Sequence, residues 1–302
     1  MSAVVCLASF NADLVSRVPR PPARGETLMA SGFTISPGGK GSNAAIACAR
    51  QGAQVAVIAR IGNDDFGRMA LALWAREGID ASMVEVVEGE PSGVAQILVY
   101  DDGDNSIAVA PGAGAGLAAR HADAAALGRA RVVMASCEVP QAATRAAFAH
   151  ARQGGALTLL NPAPAQPLPD ELLALCDLLT PNESELRLLA GMPEGTPTAA
   201  AARALLARGA GAVAVTLGAA GCALFRSGRP ALAVAGHPVR VADTIGAGDT
   251  FTGAMAASLA RGEPIEAALA WANAAAALSV GARGAIAGMP RLDAVRELLA
   301  SR

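Results

Sequence analysis

An aspartate and a lysine, each set among glycines, have the residue types and spacing that could do chemistry. The aspartate is Asp249, in "VADTIGAGDTFTGAMAASLA" at 241–260. Gly246, Ala247 and Gly248 read as a tight turn, after which Asp249 opens an apolar helix beginning near Thr250. Small residues let a ligand come close to the backbone. The free N–H groups of a helix start, together with the helix dipole, favour an anion. A carboxylate at that point would repel a phosphate in a loop that only binds. It has a purpose if it accepts the proton of a hydroxyl attacking that phosphate. Capping of the helix by Asp249 is the other reading, and the local sequence does not separate the two.

The lysine is Lys40, in "SPGGKGSN" at 36–43, and it is the sole lysine in a chain with 24 basic residues. In a sequence so biased toward Arg, a solvated surface cation drifts to Arg. A compact ammonium retained among glycines suits a point-charge contact to a polyphosphate. The loop is not a Walker A loop, because Gly41 rather than Ser or Thr follows Gly-Lys, and it lacks the spacing of a dinucleotide fingerprint. A plain glycine turn capped by Ser42 or Asn43 is the alternative.

Short apolar runs must position these loops. They lie at 3–10, 53–62, 131–136, 156–162, 178–182 and 211–218, separated by helix-length amphipathic segments. This alternation predicts βαβ units and an α/β fold with a doubly wound, mostly parallel sheet flanked by helices. Several runs end in Asn, Thr or Gly (Asn161, Asn182, Thr216, Gly218), and ligands of such sheets sit beyond the strands' carboxyl ends. Two segments break the rhythm: Pro-rich 14–35, and 93–110, which reads as two strands around an Asp/Gly/Asn turn. They predict a small β-sheet lid, from about 11–37 and 91–111, inserted in a single domain spanning 1–302; an ordinary antiparallel extension of the main sheet is the alternative. The region 250–300 reads as helical.

The 302 residues are 53% hydrophobic, enough for a sizeable core, and the net charge of −2 gives no basic surface for nucleic acid. Apolar stretches are broken well before the length of a membrane span, and the N-terminus lacks the basic region of a signal peptide. The five cysteines show no CxxC spacing, which points away from zinc and disulfides and toward a cytoplasmic protein with reduced thiols. His121, His150 and His237 stand in no ligand spacing and read as surface or packing residues; Trp74 and Trp271 read as core; Cys137 adjoins Glu138 and reads as lining rather than nucleophile.

Together the two loops resemble the signature regions of the PfkB family of carbohydrate kinases. Gly38, Gly39, Gly41, Asn43, Ala45, Gly52 and Gly62 match the first region; Asp243, Thr244, Gly246, Ala247, Gly248, Asp249, Gly253 and Ala254 match the second. The resemblance runs through nearly the whole chain and is closest to the ribokinase branch, through "FNAD", "GETL", "NPAPA", "LPDELLAL", "TPNESE" and "TLGAAG". It implies a ribokinase-like fold and ATP-dependent phosphorylation of D-ribose at O5. Asn11, Asp13, Gly39, Lys40, Gly41, Asn43 and Glu138 would meet the sugar. Asp249 would be the base, and Gly246, Ala247 and Gly248 the anion hole. Asn182, Thr216, Gly218, Gly221, Gly248 and Asn273 would meet the nucleotide. Asn182 and Glu185 would hold Mg²⁺ through water. Asp243 with the carbonyls of Ile245, Ser279, Ala282 and Gly284 would hold an activating K⁺, and a homodimer would form through the lid.

There are departures from the pattern. Asn273 stands where His is frequent, Gly288 where a hydroxyl side chain is expected, and Phe10 where a smaller aliphatic residue is usual. A kinase for another sugar or for a nucleoside (adenosine, inosine, pseudouridine) is the alternative within the family, disfavoured for nucleosides by an aromatic content of 3%. A non-catalytic sugar-binding protein on the same fold is the alternative outside it.

Overall fold

Apolar runs flanked by amphipathic segments become strands covered on both faces, as parallel sheets require. In the computed structural model, which describes residues 3–122 and 124–301, the large sheet contains β1 (Val4–Leu7), β4 (Val55–Gly62), β5 (Asp80–Val87), β8 (Val132–Ser136), β9 (Leu157–Asn161), β10 (Leu178–Leu179), β11 (Ala212–Thr216), β12 (Gly221–Arg226) and β13 (Leu232–Ala235). Their order is β13-β12-β11-β10-β9-β8-β1-β4-β5. Pairing is parallel from β5 to β11 and antiparallel for β12 and β13.

β1 sits in the middle, with Val4 opposite Val55 on one side and Val132 on the other. Its residues alternate between two cores. Val4 and Cys6 join one, under the helices Lys40–Arg50, Ala247–Ala260 and Ile265–Ser279; Val5 and Leu7 join the other, under Gln141–Gln153 and Thr198–Ala207. The chain winds from β1 outward to β5 and then returns to β8, so strand order reverses beside β1. The crevice beyond the carboxyl ends of β1 and β8 is therefore where a ligand is expected.

A second sheet has the order β3-β2-β6-β7, from β2 (Asn11–Arg17), β3 (Gly32–Gly38), β6 (Gly93–Val99) and β7 (Asn105–Ala110). The pairs β2–β3 and β6–β7 are antiparallel, while β2 and β6 run parallel. By register, Phe33 and Ile35 share one face and Ile107 and Val109 share the other with Asp13. All four are exposed, between 47% and 59%.

Four elements differ from the sequence reading. β5, β12 and β13 were not among the predicted runs. β5 carries Asp80 and Glu85 on a sheet edge, and β12 and β13 pair antiparallel, with β12 mostly buried and only β13 alternating in exposure. The helix predicted near Thr250 begins earlier, at Ala247.

Candidate functional site

The two glycine loops meet because the helices they open cross at very short range. A Cβ on Gly253 would lie 2.3 Å from Ala44 O and 2.8 Å from Ala47 Cβ, so only glycine permits this crossing. The contact brings Asn43 to Asp249, and Asn43 Nδ2 donates to Asp249 Oδ2 at 3.0 Å. From the end of β9, Asn161 Nδ2 donates to Asp249 Oδ1 at 3.2 Å. Gly246, in the left-handed conformation at φ 78°, is the N-cap. Asp249 lies in the first helical turn, buried, and its carboxylate points at other elements, so the capping alternative is excluded. Ser42 and Asn43 are not caps either. Gly39 is the N-cap of its helix, and the Ser42 hydroxyl accepts from Trp74 Nε1 at 2.9 Å.

The glycines of the first loop accommodate the protein itself. A Cβ at Gly38 would lie 2.3 Å from Asp13 Oδ2, and one at Gly41 would lie 2.6 Å from Ser9 N. Glu138 ties the same region together: its Oε2 accepts from Ser9 Oγ at 2.7 Å and from the Lys40 backbone N at 2.8 Å. Ser9, Phe10, Asn11 and Glu138 line a cavity of about 250 Å³ that Val109 and Pro164 close from the side. Phe10 is held edge-on against Trp74, with ring centroids 6.0 Å apart.

A larger cavity, about 810 Å³, lies over the start of the helix Ala247–Ala260. Asn182, Thr216, Gly218, Gly221, Gly248 and Asn273 all line it, so the structure brings together the six positions expected to meet the nucleotide. Gly248 is exposed there, with nothing within 4 Å of where a Cβ would stand. Asn273 Nδ2 donates to Ala235 O at 2.9 Å. His237, read from sequence as a surface or packing residue, is buried and lines this cavity. Its position in a loop between short apolar runs carried no periodic signal. Thr250 and Thr252 return their hydroxyls to the carbonyls of Gly246 and Gly248, at 2.8 and 2.9 Å, and Thr252 also meets Thr180 at 2.9 Å. These bonds fasten the turn to the sheet.

Asp249 senses charges from several surrounding elements. Burial pushes its pKa up to about 6, Lys40 and the Asn43 hydrogen bond pull it down, and Glu138 and Glu185 raise it. Asp13 is also raised to about 6, by burial first and then by Glu138, with Lys40 opposing. The Lys40 ammonium thus opposes the rise of both buried aspartates.

Asn182 and Glu185 form a reciprocal capping box on the helix Glu183–Leu189: Asn182 Oδ1 accepts from Glu185 N at 2.8 Å, and Glu185 Oε2 accepts from Asn182 N at 2.9 Å. Asp243 Oδ1 accepts from Ile245 N at 3.0 Å and Oδ2 from Gly284 N at 2.9 Å. A Cβ at Gly288 would lie 2.0 Å from Ser279 O, so no hydroxyl side chain fits there in this backbone geometry. Among the described residues no cluster of His, Cys, Asp and Glu could by itself hold a metal ion, and no helix is long and apolar enough to cross a membrane.

A mostly parallel sheet bearing a small second sheet, with a buried carboxylate in the first turn of a helix whose start lines a large cavity, defines a carbohydrate kinase. Residues 1–292 match the pfkB family carbohydrate kinases, and the chain belongs to that family as an ATP-dependent sugar kinase. The ribokinase of Haemophilus influenzae is 38% identical over 298 residues, covering 97% of each chain. That of Bacillus subtilis is 37% identical over 301 residues, covering 99% of this chain and all of its own. The structure of Arabidopsis thaliana ribokinase complexed with ribose and ATP superposes with a TM-score of 0.93 at 34% identity, covering 99% of this chain and 98% of that one.

Proposed function

We propose that the protein transfers the γ-phosphoryl group of ATP to O5 of D-ribose, giving ribose 5-phosphate and ADP. The observation that carries this reading is the buried Asp249 carboxylate, held by two side-chain amides in the first turn of a helix whose start lines the larger cavity. Ribose occupies the small cavity. Asn11 and Asp13 read its vicinal hydroxyls, an amide and an acceptor-only carboxylate suiting neighbouring O–H groups. Glu138, Asn43 and the loop Gly39–Gly41 close the other side. Asp249 takes the proton of the attacking hydroxyl while the leading amides of its helix, at Gly246–Gly248, bind the transferring phosphate. Positioning and charge stabilisation supply most of the rate in such transfers. The four-stranded sheet acts as a lid over a single kinase unit and keeps water from the phosphoryl donor.

Among the described residues Phe10 is the lone aromatic side chain lining the small cavity, and it is already engaged with Trp74. That favours a bare sugar over a nucleoside. ADP release over ribose, 2-deoxyribose, fructose, adenosine, inosine and pseudouridine tests this. Ribose should be fastest, because polar groups awaiting an absent hydroxyl stay buried and unpaired. Faster turnover of adenosine would overturn the assignment.

The oxygen donors of Asn182 and Glu185 suit Mg²⁺ held through water, since the hard ion retains several waters. When bound with ATP, Mg²⁺ supplies charge neutralisation at the phosphates. Asp243 and the loop carbonyls are oxygen donors too, but both Asp243 oxygens already accept loop amides and Gly288 closes against Ser279 O. The set fits K⁺ incompletely. Omitting Mg²⁺ should abolish ADP release, while replacing K⁺ by tetramethylammonium should lower it only slightly; a complete dependence on K⁺ would reject this account of the loop.

Exposed apolar residues on both faces of the lid, with open strand edges, suit a C₂ homodimer joined through the lids. Light scattering at assay concentration should give twice the chain mass; a monomer rejects it. The five free, buried cysteines are consistent with a cytoplasmic location, which cell fractionation checks.

A further inference from the structure

Asp249 is gripped from two directions, and the two grips differ in kind. Asn43 holds Oδ2 through Nδ2, but its own Oδ1 is buried without a hydrogen-bond partner among the described residues. An unpaired buried acceptor is costly, and a substrate hydroxyl would satisfy it. Asn43 is thus built to exchange partners when sugar binds. Asn161 stands on rigid ground. It is the last residue of β9, buried, paired in register with Ser136 of β8, and its backbone carbonyl accepts from Cys137 N at 3.2 Å. Its Nδ2 reaches Oδ1 of Asp249, 88 residues away in sequence, from the sheet to the helix start.

We propose that Asn161 is a positioning residue that fixes the orientation of the Asp249 carboxylate against the sheet and keeps it anionic in the buried site. An N–H donor bonds the charged carboxylate more strongly than the neutral acid, so it favours ionisation. A carboxylate anchored on one oxygen by the sheet presents its remaining lone pairs in one direction, which a freely rotating one does not. Asn161 touches the base and is not itself the base. The charged and titratable groups facing Asp249 are Lys40 at the start of its helix, Glu138 beyond β8, Asp13 on β2, Glu185 on the helix Glu183–Leu189 and Cys6 on β1. None of them stands in the place of the Asn161 contact.

This inference rests on the base role assigned to Asp249, so wild type is measured first, by ADP release with ribose and MgATP from about pH 5 to 9, the span over which a carboxylate raised toward neutrality titrates. The same profile is then taken for Asn161→Ala and for the isosteric Asn161→Asp, each with a thermal melt. Asn161→Ala should lose roughly 10- to 100-fold in kcat, the scale of a misplaced catalytic group, with KM for ribose changed little. Its acid limb should move to higher pH, because a bond to the charged form is gone. Asn161→Asp places a like charge beside the base, so its limb should move up further, by about one unit or more, with activity recovering on the alkaline side. Should the alanine variant not fold, the aspartate variant decides alone. A folded Asn161→Asp variant whose acid limb coincides with wild type overturns the proposal. A wild type inactive on ribose overturns the substrate reading instead, and the limbs are then compared on whichever sugar of the panel turns over.

Discussion

Asp249→Asn is expected to lower kcat by roughly 10²–10⁴-fold, the range typical of removing a general base, while the protein melts as before. The substitution keeps shape and burial. It removes a group that can accept the proton of a sugar hydroxyl, a poor nucleophile at neutral pH. It also removes a negative charge at the anion-binding turn, so ATP should bind as well as before or slightly better. The helix start does not depend on this side chain, because Gly246 is the N-cap and no side chain caps it. The pH profile gives a second readout. Burial pushes Asp249 up to about 6, and a base works only when deprotonated, so wild-type kcat should be level above that value and fall as pH drops through it. Asp13 titrates in the same window, so kcat/KM for ribose should fall more steeply than kcat on the acid side. If the Asn variant melts normally and keeps more than about a tenth of wild-type kcat, far above the range for losing a base, the base lies elsewhere.

Lys40→Ala is expected to produce the next largest loss, about 10²–10³-fold in kcat, comparable to deleting one preorganised charge-stabilising donor. The ammonium opposes the upward shift of both Asp13 and Asp249. Removing it leaves a cluster of carboxylates without a counter-charge, so the acid limb of the rate profile should move to higher pH. Charge that builds on the phosphoryl group in the transition state loses its partner at the same time, so kcat should fall more than KM for ribose rises. Lys40→Arg restores the charge but not the compact shape, among Gly38, Gly39 and Gly41, and should recover only part of the rate. Full activity of Lys40→Ala at every pH would make the lysine incidental.

Much of this site could be read before any coordinates. Runs of Val, Ile and Leu with polar endings marked the central strands, and the two glycine loops marked both helix starts. What stayed hidden depended on distance in sequence or on competing local signals. Asn161 was visible as a polar strand ending, but its contact with Asp249 spans 88 residues, and nothing local announces it. β5 mixes Asp80 and Glu85 with apolar residues because it is an edge strand, which blurs periodicity. The resemblance set Gly39 and Gly41 against the sugar, in a loop with Gly38. The structure shows that they make room first for Asp13 and for the Ser9–Asn11 backbone, a tertiary demand that spacing alone does not distinguish. The turn expected at 246–248 lies instead at 245–246, and the helix begins at Ala247 and draws Asp249 inside it.

The central position of β1 has a consequence for how the protein is made. Of the strands in the large sheet β1 is translated before the rest, and it pairs with β4 on one side and with β8 on the other, so its second neighbour begins only at Val132. At a translation rate of about 5–20 residues per second, the nascent chain carries that apolar strand without its full cover for roughly 6–26 s before β8 begins. Such long-range parallel pairing also folds slowly, because loop closure precedes the contacts that reward it. On the ribosome, the segment Val4–Leu7 is therefore where a holdase chaperone has the most to shield.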